Sequence, residues 1–119
     1  MNKVYHLASC NTCQRIIKEL DLDKFDFEQQ NIKMEKMTAK QVDEMGRLAG
    51  SFEAIFSRRS MKFREWELGK KDLSEKDYRR HIIEEYTFLK RPVFLIDGEI
   101  FVGNTKKNIE AVAAKLATL

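Results

Sequence analysis

The chain has one proline in 119 residues, together with two cysteines, two histidines and one tryptophan. Proline breaks helices and fixes turns, so a single one, Pro92, leaves long stretches free to be helical and marks its own position. Two cysteines cannot build the disulfide framework of a small secreted domain. The isolated histidines His6 and His81 do not complete a four-ligand zinc site with them, and no metal is expected. No apolar run is long enough to span a bilayer, and no signal-peptide pattern is present, so a cytoplasmic protein without membrane contact is expected. Neither sign of charge dominates. The 22 Lys and Arg against 19 Asp and Glu leave a net +3, which is too mild to argue for nucleic-acid binding. There is no Gly-rich phosphate loop or dinucleotide fingerprint.

The composition is 43% hydrophobic and 34% charged, which suits one domain over residues 1–119 with a single core. No repeat or linker divides it. Residues 3–8 read as a buried strand and 11–21 as a helix. Phe25-Asp26-Phe27-Glu28-Gln29 alternates as a second strand, parallel to the first through a right-handed crossover. A helical insert follows over about 38–88. Thr38 and Gln41 form a capping box, stapled by Met37 and Val42, and Gly50 ends that helix. Ser51 to Phe56 reads as a short helix, and Arg58 to Trp66 as loop. Ser74 starts another helix with Leu73 and Tyr78 as its staple. Val93-Phe94-Leu95-Ile96, the turn Asp97-Gly98 and Glu99-Ile100-Phe101-Val102 make a type I′ hairpin. A last helix carries Ile109, Val112, Ala113 and Leu116 as its apolar stripe. The order β-α-β, helical insert, β-β-α describes a mixed four-stranded sheet with helices on its faces, an α/β layout of thioredoxin-like type.

Both cysteines lie where the first strand gives way to the first helix, in Ser9-Cys10-Asn11-Thr12-Cys13-Gln14. The start of a helix leaves backbone N–H groups unpaired and carries partial positive charge. A thiolate there is stabilised, which makes Cys10 the expected nucleophile. Cys13 sits one turn on, within reach of a disulfide. The plain alternative is two buried cysteines that happen to be neighbours. Ser9 and Asn11 are read as helix caps, with a hydrogen bond to the sulfur as the other reading. His6 is read as structural and His81 as solvated. Phe63, Trp66 and Phe88 are read as core or interface residues. Lys106 and Lys107 stand at a helix start, against the dipole. They are read as exposed lysines, or alternatively as a docking surface for an acidic partner or as help with anion binding near the site.

Cys10-Asn11-Thr12-Cys13, Ser57-Arg58-Arg59-Ser60, Arg91-Pro92-Val93 and the closing hairpin and helix, in this order around a helical insert, resemble the arsenate reductase (ArsC)/Spx family of the thioredoxin fold. The resemblance covers essentially the whole chain. It implies that Cys10 is the nucleophile and that Cys13 is the second cysteine of Spx-type members. It also implies that Arg59 and Arg91 bind an oxyanion beside Cys10, with Arg58 as the alternative to Arg59, and that Pro92 is the family's cis-proline. A planar, permanently charged guanidinium suits that task. Where well-characterised arsenate reductases carry a third arginine, Val102-Gly103-Asn104 has none. Two functions follow as expectations. One is a thiol-dependent reductase with no bound cofactor, acting on a small oxyanion (arsenate first) or a thiol substrate and re-reduced by glutathione and glutaredoxin or by thioredoxin. The other is an Spx-like redox-switched regulator that binds RNA polymerase and meets nucleic acid only through that partner.

Overall fold

The computed structural model describes residues 2–119, so Met1, the first residue of the expected domain span, lies outside the description. The chain divides into two compact units, one made of everything up to Glu35 together with Arg91–Leu119, the other of Lys36–Lys90.

The first unit is built on a four-stranded sheet in the order β2-β1-β3-β4. The strands are β1 (Asn2–His6), β2 (Phe27–Asn31), β3 (Val93–Ile96) and β4 (Glu99–Val102). β1 pairs parallel with β2, Asn2 opposite Phe27 and His6 opposite Asn31. On its other side it pairs antiparallel with β3, Val4 opposite Phe94. The mixed sheet is the one the sequence predicts, but β2 lies two residues later than its alternation suggests. Phe25 instead closes a short 3-10 turn, and its backbone N–H bonds the Leu22 carbonyl. Asp97 and Gly98 both have positive φ, 51° and 78°, as the two central residues of a type I′ turn require.

Helices α1 (Asn11–Glu19) and α5 (Lys106–Leu116) belong to this unit. Ile16 of α1 and Val112 and Leu116 of α5 are buried with Val4, Phe94 and Ile96 of the sheet in one cluster. Strand residues two apart face the same side, which is why Val4 joins this cluster and Tyr5 does not. Ala113 is exposed rather than part of the stripe, because it lies about 100° around the helix from Val112.

The second unit holds α2 (Ala39–Ala49), α3 (Met61–Glu65) and α4 (Glu75–Glu84). Thr38 and Gln41 form the reciprocal capping box at α2, and Gly50 closes it at φ 94°. Ser51 to Phe56 contains a single 3-10 turn, Glu53–Ile55. The stretch read as loop contains α3, which Ser60 caps by accepting from the Lys62 N–H. The core of this unit is aromatic. Phe56 stacks on Phe88 at 5.1 Å and tilts against Tyr78 at 4.8 Å, with Phe63 edge-on at 6.2 Å.

His81 is a correction. It is buried, 8% exposed, with its ring 5.8 Å from Trp66 and 5.7 Å from Phe88. The aromatic neighbours, which come from outside its own helix, decide its burial. Its Nδ1 is enclosed without a hydrogen-bond partner among the described residues. Burial, and then the neighbouring Arg80, push its pKa below the usual imidazole value, while Glu84 and Asp77 oppose them. The neutral ring is therefore the folded form. The stability this contributes is complete above the unfolded-state pKa of about 6.5 and falls as pH drops below it toward the depressed folded value. Urea unfolding at pH 7.5 and pH 5.0 should show a smaller loss of midpoint for His81→Phe than for the wild type. An equal loss in both would show that His81 does not titrate on unfolding.

Candidate functional site at the start of helix α1

β1 stops at His6, and four residues turn the chain into α1. Cys10 has extended backbone, φ −88° and ψ 105°, and is itself the N-cap. Capping by Ser9 or Asn11 is therefore corrected. The Cys10 Sγ takes the cap, accepting from the Cys13 backbone N–H at 3.3 Å, and Ser9 and Asn11 are exposed. Both cysteines are free thiols. Cys10 is half-exposed and Cys13 fully buried.

Their surroundings drive them in opposite directions. Partial burial pushes the Cys10 pKa up. The hydrogen bond from the Cys13 side chain, the Cys13 backbone N–H, the Arg91 charge and the Thr12 N–H outweigh it and leave Cys10 below the usual thiol value. Cys13 is pushed up to about 12, first by burial and then by its hydrogen bond and charge repulsion with Cys10, against opposing help from the Leu7 N–H and Arg91. Of the two thiols, Cys10 therefore gives up its proton first and Cys13 holds its own. This is the arrangement of an activated nucleophile with a protonated partner.

Arg91 belongs to the same unit as the cysteines, half-buried, and its charge acts on both. The Arg91–Pro92 peptide bond is cis. The Pro92 carbonyl accepts from the Gly103 N–H at 2.9 Å, which ties the start of β3 to the end of β4. In the turn that follows, the Asn108 side chain donates to the Gly103 carbonyl and Thr105 caps α5. Asn104, Lys106 and Lys107 are exposed, and Lys106 lies 3.9 Å from Glu110.

Arg58 and Arg59 lie in the second unit. Arg58 donates to Glu53 Oε2 at 3.0 Å and to the Tyr78 hydroxyl at 2.7 Å. Arg59 is exposed and its guanidinium has no partner among the described residues. Ser60 shares a 2.7 Å hydrogen bond with Thr87, whose hydroxyl donates to Glu85.

His6 is buried and structural. Its Nδ1 lies 3.1 Å from the Gln14 Nε2, and burial lowers its pKa. Gln14 is a site residue that the sequence reading passed over. The available signal was spacing, since Gln14 lies one helical turn beyond Cys10 and so shares its face. Among the described residues no group of three or more His, Cys, Asp or Glu is placed to hold a metal ion, and no helix is long and apolar enough to cross a membrane.

With this geometry in hand, known proteins supply the class. The ArsC family model matches residues 5–112. The chain is 29% identical over 108 residues to a global transcriptional regulator, Spx 2, of Bacillus anthracis, covering 89% of this chain and 82% of that protein. A solved structure of a protein named YFFB superposes with a TM-score of 0.81 at 23% identity, covering 98% of this chain and 99% of that one. An arsenate reductase from Vibrio cholerae superposes with a TM-score of 0.77 at 15% identity, covering 95% of each chain. The chain belongs to the ArsC family, with the thioredoxin-like fold, and is a thiol redox protein of that family.

Alkylation with iodoacetamide should modify Cys10 first, with a pH midpoint below that of a free thiol, and leave Cys13 protected until the chain unfolds. Arg91→Ala should move the Cys10 midpoint upward. Equal rates at the two cysteines would contradict the opposed environments.

Proposed function

We propose that this protein is a thiol-dependent reductase in which Cys10 is the nucleophile and Cys13 resolves the adduct. The observation that carries this reading is the split of the thiol pair, one sulfur held low and half-exposed and the other pushed up to about 12 and buried. The Cys10 thiolate attacks the electrophilic atom of a small oxyanion or of an oxidised thiol. With an oxyanion, the displaced oxygen leaves as water after taking up protons. The new covalent bond removes the charge on Cys10 and its hydrogen bond with Cys13. Two of the three influences that hold the Cys13 proton are then gone, and burial alone remains. Cys13 releases its proton and attacks the Cys10 Sγ. The disulfide forms, and the substrate departs carrying the electron pair. Glutathione with glutaredoxin, or thioredoxin, returns the two electrons. No bound cofactor takes part.

Arsenate is the leading substrate. Arg91 supplies one guanidinium. The family resemblance assigns Arg59 as the second, and its unengaged side chain favours it over Arg58, which Glu53 and Tyr78 already hold. Val102-Gly103-Asn104 supplies no third arginine.

A second reading has one observation in its favour, the likeness to relatives named global transcriptional regulators. In this reading the same disulfide changes affinity for RNA polymerase and nothing is turned over.

NADPH consumption with arsenate, coupled to each thiol system, separates the two. The reductase reading expects arsenate-dependent turnover that Cys10→Ser abolishes and Cys13→Ser reduces to a single stalled event per chain. Disulfide formation without turnover in either system, accompanied by redox-dependent binding to RNA polymerase, would replace it with the switch.

A further inference from the structure

The four residues between β1 and α1 place both cysteines, and Leu7 is the residue whose backbone serves both. Its carbonyl accepts from the Cys10 N–H at 2.9 Å, and its N–H donates to the Cys13 sulfur. The Leu7 carbonyl has a second donor, the Gln14 side-chain nitrogen at 3.2 Å. That nitrogen also lies 3.1 Å from His6 Nδ1. An amide nitrogen carries two protons, so one goes to each acceptor. Nδ1 must then accept, which fixes His6 as neutral with its proton on Nε2. The other end of the same peptide group is held more loosely. The Ala8 N–H reaches Asn31 Oδ1 at 3.4 Å, and Asn31, the last residue of β2, also accepts from the Lys33 N–H at 3.4 Å.

We propose that Gln14 is a positioning residue for the thiol pair, acting by clamping the Leu7 carbonyl so that the turn holds Cys10 at the helix start. The proposal rests on the reading of Cys10 as the nucleophile. Gln14 is uncharged, and its described side-chain contacts are to His6 and Leu7, so its influence on the Cys10 sulfur runs through the backbone. Without it, the Leu7 carbonyl keeps one donor of two and His6 Nδ1 loses its partner. The peptide plane can then rotate. Rotation carries Cys10 out of line with the Thr12 and Cys13 N–H groups that stabilise its charge.

The test is the pH profile of Cys10 alkylation in the full chain, with modified residues identified by peptide mass, for the wild type, Gln14→Met and Gln14→Asn. Methionine matches the length without donors, and asparagine keeps the amide but retracts it by one methylene. Both should raise the midpoint and lower the rate at pH 7 by about tenfold, the effect of one pKa unit. Should Gln14→Met not fold, Gln14→Asn carries the comparison, and Asn31→Ala, which frees the other end of the peptide, should give a smaller shift in the same direction. Folded variants with the wild-type alkylation profile, whatever their stability, would overturn the proposal. A wild-type Cys10 that alkylates like a free thiol would instead bring down the nucleophile reading on which the proposal stands.

Discussion

The donation of helix-start N–H groups to the Cys10 sulfur is the constraint around which the first unit is arranged. A sulfur can take that place only if its own residue stays extended and the chain becomes helical just after it. β1 makes this possible because it is hydrogen-bonded on both sides, to β2 and to β3, and its inner residues Val4 and Tyr5 are almost wholly buried. The strand therefore delivers the turn at a fixed point. α1 is held in place by Ile16, buried against Val4 and Phe94. The opposed shifts of the two thiols then follow from burial and the Cys10 charge at Cys13, and from the helix-start donors and the Arg91 charge that outweigh burial at Cys10.

The second unit shows the same economy around its arginines. Arg58 is committed to Glu53 and Tyr78, and Ser60 to Thr87 and through it to Glu85. Backbone bonds complete the frame, with the Ser57 N–H on the Phe88 carbonyl at 2.7 Å and the Lys90 N–H on the Ile55 carbonyl at 2.9 Å. Arg59, between these anchored residues, is left with its charge presented to solvent.

Local chemistry made much of this legible in the sequence. The capping box of Thr38 and Gln41, the helix start at Ser74, the Asp97-Gly98 turn and Gly50 are decided within four or five residues, and the structure has them where the sequence puts them. The register of β2 was not legible, because Phe25 and Phe27 are both apolar and alternation alone cannot tell a strand from the turn before it. α3 was hidden for a similar reason: five residues are too few to show a period. His81 was misread because its burial comes from Trp66 and Phe88, outside its own helix. The cysteine pair was legible by spacing and setting. The sulfur as its own helix cap, and Gln14 beneath it, depend on the path of the turn, which no periodicity encodes.

The burial of Cys13 gives the pair a polarity. With no surface open to solvent on one sulfur and part of the other exposed, traffic with any outside thiol has a single portal. A mixed disulfide with a partner chain can form at Cys10 alone. The inner cysteine then never meets the partner directly, and in the proposed reductase its part is confined to ending the outer bond.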